Sequence, residues 1–160
     1  MLVPFQELPE EARIWIYQAN RSFTADELIE LEQELTQFLT QWAAHGASLK
    51  AGFEIKYKRF IIIGLDQEVT IASGCSIDAQ VHFIQSLEKK YQVDLLDKMN
   101  VSFKQGEFVA YKPLIDFKKL VKNKSVSANT IVFNNLVNTK VEYVNDWEVP
   151  LKDSWHQRFL

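Results

Sequence analysis

The chain has 160 residues, of which 47% are apolar and 24% charged, with a formal net charge of −3. That length accommodates a self-sufficient core, and the eleven Phe and four Trp argue against disorder. So small a net charge excludes bulk electrostatic attraction to nucleic acid or membrane, and the one cysteine, Cys75, excludes an intrachain disulfide or a multi-cysteine zinc site.

The first segment, Met1 to Glu7, has no basic stretch followed by an apolar core, so a cytoplasmic location is expected. Arg13-Ile14-Trp15-Ile16-Tyr17-Gln18 is rich in β-formers and predicts a first strand. Thr24-Ala25-Asp26-Glu27 forms a capping box, with Phe23 and Leu28 as its hydrophobic staple. Leu28, Leu31, Leu35, Phe38, Leu39 and Trp42 then share one helical face, and Gly46 is expected as the glycine just beyond the helix end.

Leu49, Ala51, Phe53, Ile55 and Tyr57 alternate with polar residues and predict a half-buried strand. A turn near Lys58 leads into Phe60 to Leu65, a run apolar on both faces, as in a central strand. It is far shorter than the ~20 residues that span a bilayer, so no membrane partner is expected. Ile77, Val81, Ile84, Leu87 and Tyr91 describe a second amphipathic helix with Ser76 as its expected N-cap. Gln105-Gly106 separates Val101–Phe103 from Phe108–Tyr111 as a hairpin, and Pro113 opens a short third helix carrying Leu114, Phe117 and Val121.

The order strand, helix, strand, strand, helix, strand predicts an α+β, two-layer sandwich of ferredoxin-like β-α-β-β-α-β type. An added strand, a short helix and a C-terminal extension would follow. The expectation is one domain over 1–160, with its core at about 12–123. Residues 124–160 sustain no period, yet Trp147, Trp155 and Phe159 are too apolar to stand in water. They are expected to pack on the domain or on a second copy in a homo-oligomer.

Trp15 to Gln18, Trp42 through Gly46, Tyr57 through Phe60, Ser73 to Asp78 and Ser154-Trp155-His156 together resemble an uncharacterised bacterial family whose members are often called "ABC transporter ATPase". The likeness runs over nearly the whole chain and implies a bacterial source. It brings no assigned catalytic residue. The residues themselves exclude P-loop ATP hydrolysis. A Walker A loop needs two glycines five positions apart and a lysine after the second, whereas glycines 46, 52, 64, 74 and 106 meet neither condition.

Chemistry is concentrated at Ser73-Gly74-Cys75-Ser76-Ile77-Asp78. Amides at a helix start can hold an anion, so Ser73, Gly74, Ser76 and Asp78, with Arg59 as a phosphate-compatible cation, form the candidate ligand site. The same dipole would favour a thiolate at Cys75, which with His45 as base outlines a cysteine-nucleophile enzyme. The ordinary alternative is structural capping beside an inert thiol. His82 and His156 lack a metal partner at ligand spacing, and no cofactor is implied. The chain is also polar in charge: residues 1–48 hold eight acids against two arginines, residues 98–124 seven lysines against two acids. Lys118, Lys119 and Lys122 could meet RNA, but no aromatic residue is interleaved with them, so nucleic acid is a minor expectation. The leading expectation is a non-enzymatic binding or assembly protein for a small anionic ligand.

Overall fold

A computed structural model describes all 160 residues. The protein is mixed α+β, and its residues gather into two compact units. One comprises Met1–Leu96 with Asn138–Lys140; the other comprises Asp97–Val137 with Val141–Leu160. The expected core at 12–123 is therefore divided between them.

In the first unit, β1 (Arg13–Gln18), β4 (Ala51–Lys56) and β5 (Phe60–Leu65) form an antiparallel sheet in the order β1-β5-β4. Tyr57 and Lys58 both adopt left-handed backbone, with φ of 53° and 56°, in the three-residue turn, 57–59, between β4 and β5. β5 is central and wholly buried, as its two-sided apolar pattern requires. Ile61, Ile63 and Leu65 face α1 (Ala25–Gln41) and α2 (Gly74–Tyr91) in the main core. The Thr24–Glu27 capping box starts α1, and Leu31, Leu35 and Leu39 are fully buried along it. Each such leucine contributes about 1.5–3 kcal/mol of apolar burial.

α2 runs antiparallel to α1: Trp42 Nε1 donates to the Ser76 carbonyl at one end (2.8 Å), Phe38 stacks on Phe83, and Lys90 pairs with Glu34 near the other. The buried face of α2 is rotated from the expected one. Ser76 and Gln80 are buried, whereas Ile77 and Val81 are only half-buried. Gln80 is held inside by Tyr17, whose hydroxyl donates to its Oε1.

The opposite face of β5 rests on the N-terminal segment. Gly52 and Gly64 are paired across β4 and β5. A Cβ at Gly52 would stand 2.6 Å from the Val3 carbonyl oxygen, and one at Gly64 would stand 2.6 Å from Leu8. The two glycines make a furrow in which Phe5 and Leu8 lie buried. Both sheet edges are also covered: Val3 and Met1 exchange hydrogen bonds with Ala51, while Asn138 and Lys140 bond to Ile14 and Ala12.

The strand that would complete a ferredoxin-like sheet is absent from this one. It is β6 (Asn100–Gln105) of the second unit, where the sheet order is β7-β6-β8-β9. β7 spans Phe108–Pro113, β8 Ile131–Phe133 and β9 Glu148–Pro150. Two strands from the illegible tail supply partners that the 2-residue periodicity could not reveal, because each is only three residues long. α3 (Leu114–Lys122) follows Pro113, which is its N-cap rather than its first residue, and buries Phe117 and Val121 against β6 residues Val101 and Phe103. Trp147 packs between Phe133 and Tyr143 of α4 (Lys140–Asp146), and Trp155 and Phe159 pack in contact with one another in the same unit. No helix is long and apolar enough to cross a membrane.

The glycine furrow yields a direct expectation. Gly52→Ala forces a methyl against a backbone carbonyl that cannot rotate away, so it should lower stability by about 1–3 kcal/mol. Urea denaturation followed by tryptophan fluorescence measures this loss.

Candidate functional site

Ser73, rather than Ser76, is the N-cap of α2. Its Oγ accepts the Ser76 amide (3.1 Å), and Ser76 Oγ accepts the Ser73 amide (2.8 Å) while donating to the Ser73 carbonyl (2.8 Å). This is a capping box with serine in the place where Glu or Gln is usual, which is why the sequence pattern misplaced the start by three residues. Ser76 is 2% exposed and its hydroxyl is consumed locally. Of the expected anion-binding residues, Ser73 and Ser76 are thus engaged with one another. A Cβ on Gly74 would meet nothing within 4 Å, so glycine is not needed there for a close approach. Cys75 and Asp78 are exposed.

Trp42 ends α1 in extended backbone, so Gly46 is not the residue after the helix. It follows His45 in a tight turn between β2 (Ala43–Ala44) and β3 (Ala47–Ser48), both turn residues having positive φ (51° and 79°). The Trp42–Ser76 hydrogen bond puts this hairpin and the Cys75 helix start at the same end of α1. His45 is exposed, and no hydrogen bond joins it to Cys75. Arg59 lies elsewhere. Its guanidinium is 3.4 Å from Ser22 Oγ, just before α1 begins, so the length of α1 separates it from Ser73–Asp78 by roughly 25 Å. No group of three His, Cys, Asp or Glu side chains is placed to hold a metal ion.

A polar depression in the first unit is lined by Asn20, Glu88, Gln92 and Asp94. Its polar groups are largely engaged: Glu88 Oε2 accepts the amides of Leu95 and Leu96, and Asn20 Oδ1 accepts that of Asp94.

The second unit holds a more developed cavity, an open groove of about 790 Å³. α3 forms one wall. Phe117 and Val121 point into the core, so Lys118 and Lys122, one residue further on, flank the groove. At the helix end the Asn123 amide donates to the Lys119 carbonyl and the Lys124 amide to that of Val121. Lys124 takes φ of 65°, and the reversal carries Val126 back to donate its amide to the Leu120 carbonyl. Val126, Ser127 and Ala128 make the second wall, and Phe159 and Leu160 close the groove. The Phe159 ring stands 6.3 Å from that of Phe117, with Lys118 Nζ 5.2 Å from its centroid.

The lining combines the aliphatic Val121, Val126, Ala128 and Leu160 with three lysines, and has no acidic side chain. Lys118, Lys122 and Lys124 form no ion pair, whereas Lys104 of the same unit is bound to Glu148 at 3.2 Å. Three lysines that form no ion pair beside an apolar floor are the groups that an anion with an apolar body would meet here. The lysine cluster was visible in sequence, but Lys119 is not part of the groove. Phe159 and Val126 were not foreseen there, because their approach depends on the turn at Lys124 and on the final helical turns at Trp155–Phe159.

No protein-family model matches the chain, and neither the curated proteins nor the solved structures contain a significant match to it.

In the same unit, His156 is 1% exposed, stacked on Trp155 and edge-on to Phe117, with Nδ1 sharing a 2.7 Å hydrogen bond with Ser154 Oγ. Burial pushes its pKa down from 6.5 to about 4. The folded state thus favours the neutral ring, and its stability contribution is complete above pH 6.5. It is lost as pH falls from 6.5 towards 4, by about 3 kcal/mol in all. Urea midpoints at pH 7, 5.5 and 4.5 should show this decline, and His156→Gln should flatten it.

Proposed function

We propose that the chain is a non-enzymatic binding protein whose ligand is an amphipathic anion held in the groove of the second unit. The observation that carries this reading is the set of unpaired lysines, 118, 122 and 124, around Val121, Val126 and Phe159. At the helix start the two serine hydroxyls are engaged with one another, while the groove offers both charge and apolar surface. A small inorganic anion would therefore gain little at either place.

Magnitudes support the apolar body. Solvent-exposed ion pairs contribute about 0.2–1 kcal/mol each, so three lysines supply roughly 1–3 kcal/mol. Micromolar affinity needs about 8 kcal/mol. The difference has to come from apolar contact, at about 0.8 kcal/mol per buried methylene. Charge selects the ligand and the floor holds it.

Anilinonaphthalene sulfonate, an amphipathic anion whose fluorescence rises on leaving water, tests the reading. It should bind the native protein at one site, and Lys122→Glu should weaken that binding by about tenfold. Phosphate alone should leave the melting temperature unchanged. Equal binding by the wild type and Lys122→Glu would place the site elsewhere.

A further inference from the structure

Resting on that reading, we infer that the groove takes a single acyl chain ending in an anionic head, and that Lys124 is the residue that fixes the head group. Two features of the walls favour an aliphatic chain over a ring. Val121, Val126, Ala128 and Leu160 are aliphatic, and the lysine stems add methylenes. The one ring, Phe159, is already engaged, with Lys118 Nζ 5.2 Å and Arg158 Cζ 5.9 Å from its centroid and Trp155 and Phe117 against its edges or faces. A planar aromatic ligand or nucleobase would compete with these neighbours for the ring. A flexible chain needs only the open aliphatic trough.

Lys124 carries the second half of the inference. It occupies the position just after the α3 cap residue Asn123, in left-handed backbone with φ of 65°. Glycine is the usual occupant of such a position, because a side chain there is strained. A lysine at this point costs stability and makes no ion pair within the protein. It does line the groove, where the wall turns from α3 to Val126. Of the non-glycine residues with positive φ, Lys124 is the one that lines this groove. Lys118 and Lys122, on regular helix, then line the trough, and Lys124 stands at its end.

The test uses the full chain, with saturated fatty acids below their micellar concentrations and anilinonaphthalene sulfonate as the displaced reporter. Affinity should rise about fourfold per methylene from octanoate to dodecanoate, the factor equivalent to 0.8 kcal/mol. Lys124→Gly should raise the melting temperature by roughly 2–4 °C while weakening dodecanoate several-fold and leaving dodecanol unchanged. If Lys124→Gly is stabilised but binds dodecanoate as the wild type does, Lys124 is a structural residue and that assignment falls. If the reporter binds in a Lys122-dependent way but fatty acids do not displace it, or a single-stranded oligonucleotide displaces it better, the acyl class is overturned while the amphipathic-anion reading stands. If the reporter's binding is indifferent to Lys122, the underlying reading fails.

Discussion

The close approach of the N-terminal segment to the Gly52–Gly64 pair is the constraint on which the first unit depends. Two glycines opposite one another remove the side chains that would hold Phe5 and Leu8 away from the sheet. β5 can then be buried on both faces, one under α1 and α2 and the other under the N-terminal segment. The helices are in turn locked at one end by Arg21. Its guanidinium forks onto Glu27 at 2.8 and 2.9 Å and also donates to the Tyr91 carbonyl at 2.6 Å, joining the start of α1 to the end of α2. That guanidinium, with the Thr24 amide, holds the Glu27 carboxyl down at about 2. The contribution is present above the ordinary value of 4.5 and is lost as pH falls towards 2, so this lock stays closed where His156 begins to protonate.

The second unit solves a different problem with the same physics. Its sheet is assembled from a hairpin and two three-residue strands, and α3 closes over it through Phe117 and Val121. The end of α3 has no glycine, so the chain reverses through a strained lysine. The reversal, together with the return of Phe159, leaves a trough that neither wall fills. The left-handed turn at Lys124 thus sets one wall of the groove.

Most elements were legible in the sequence. The two long helices, β1, β4, β5, the β6–β7 hairpin and α3 each form in the region the sequence predicts, although α2 begins before its expected cap and buries a rotated face. Legibility failed where information was local or long-range. Serine substituting for Glu in the α2 capping box hid the true cap at Ser73. Gly46 served a hairpin turn that looks, in sequence, like a helix stop. β8 and β9 are too short to show alternation, so the partner of β6 was sought in the wrong sheet. Ser73–Asp78 are adjacent in sequence, whereas Arg59 suits an anion by its chemistry alone and lies at the far end of α1. The groove joins residues about 40 positions apart, and only its lysines could be seen in advance.

Backbone amide NMR of the full chain, titrated with dodecanoate, tests the central claim most directly. The account predicts saturable shifts centred on Lys118–Ala128 and Phe159–Leu160, with Gly74 to Asp78 unmoved. Shifts centred on Gly74 to Asp78, or none that saturate, would contradict it.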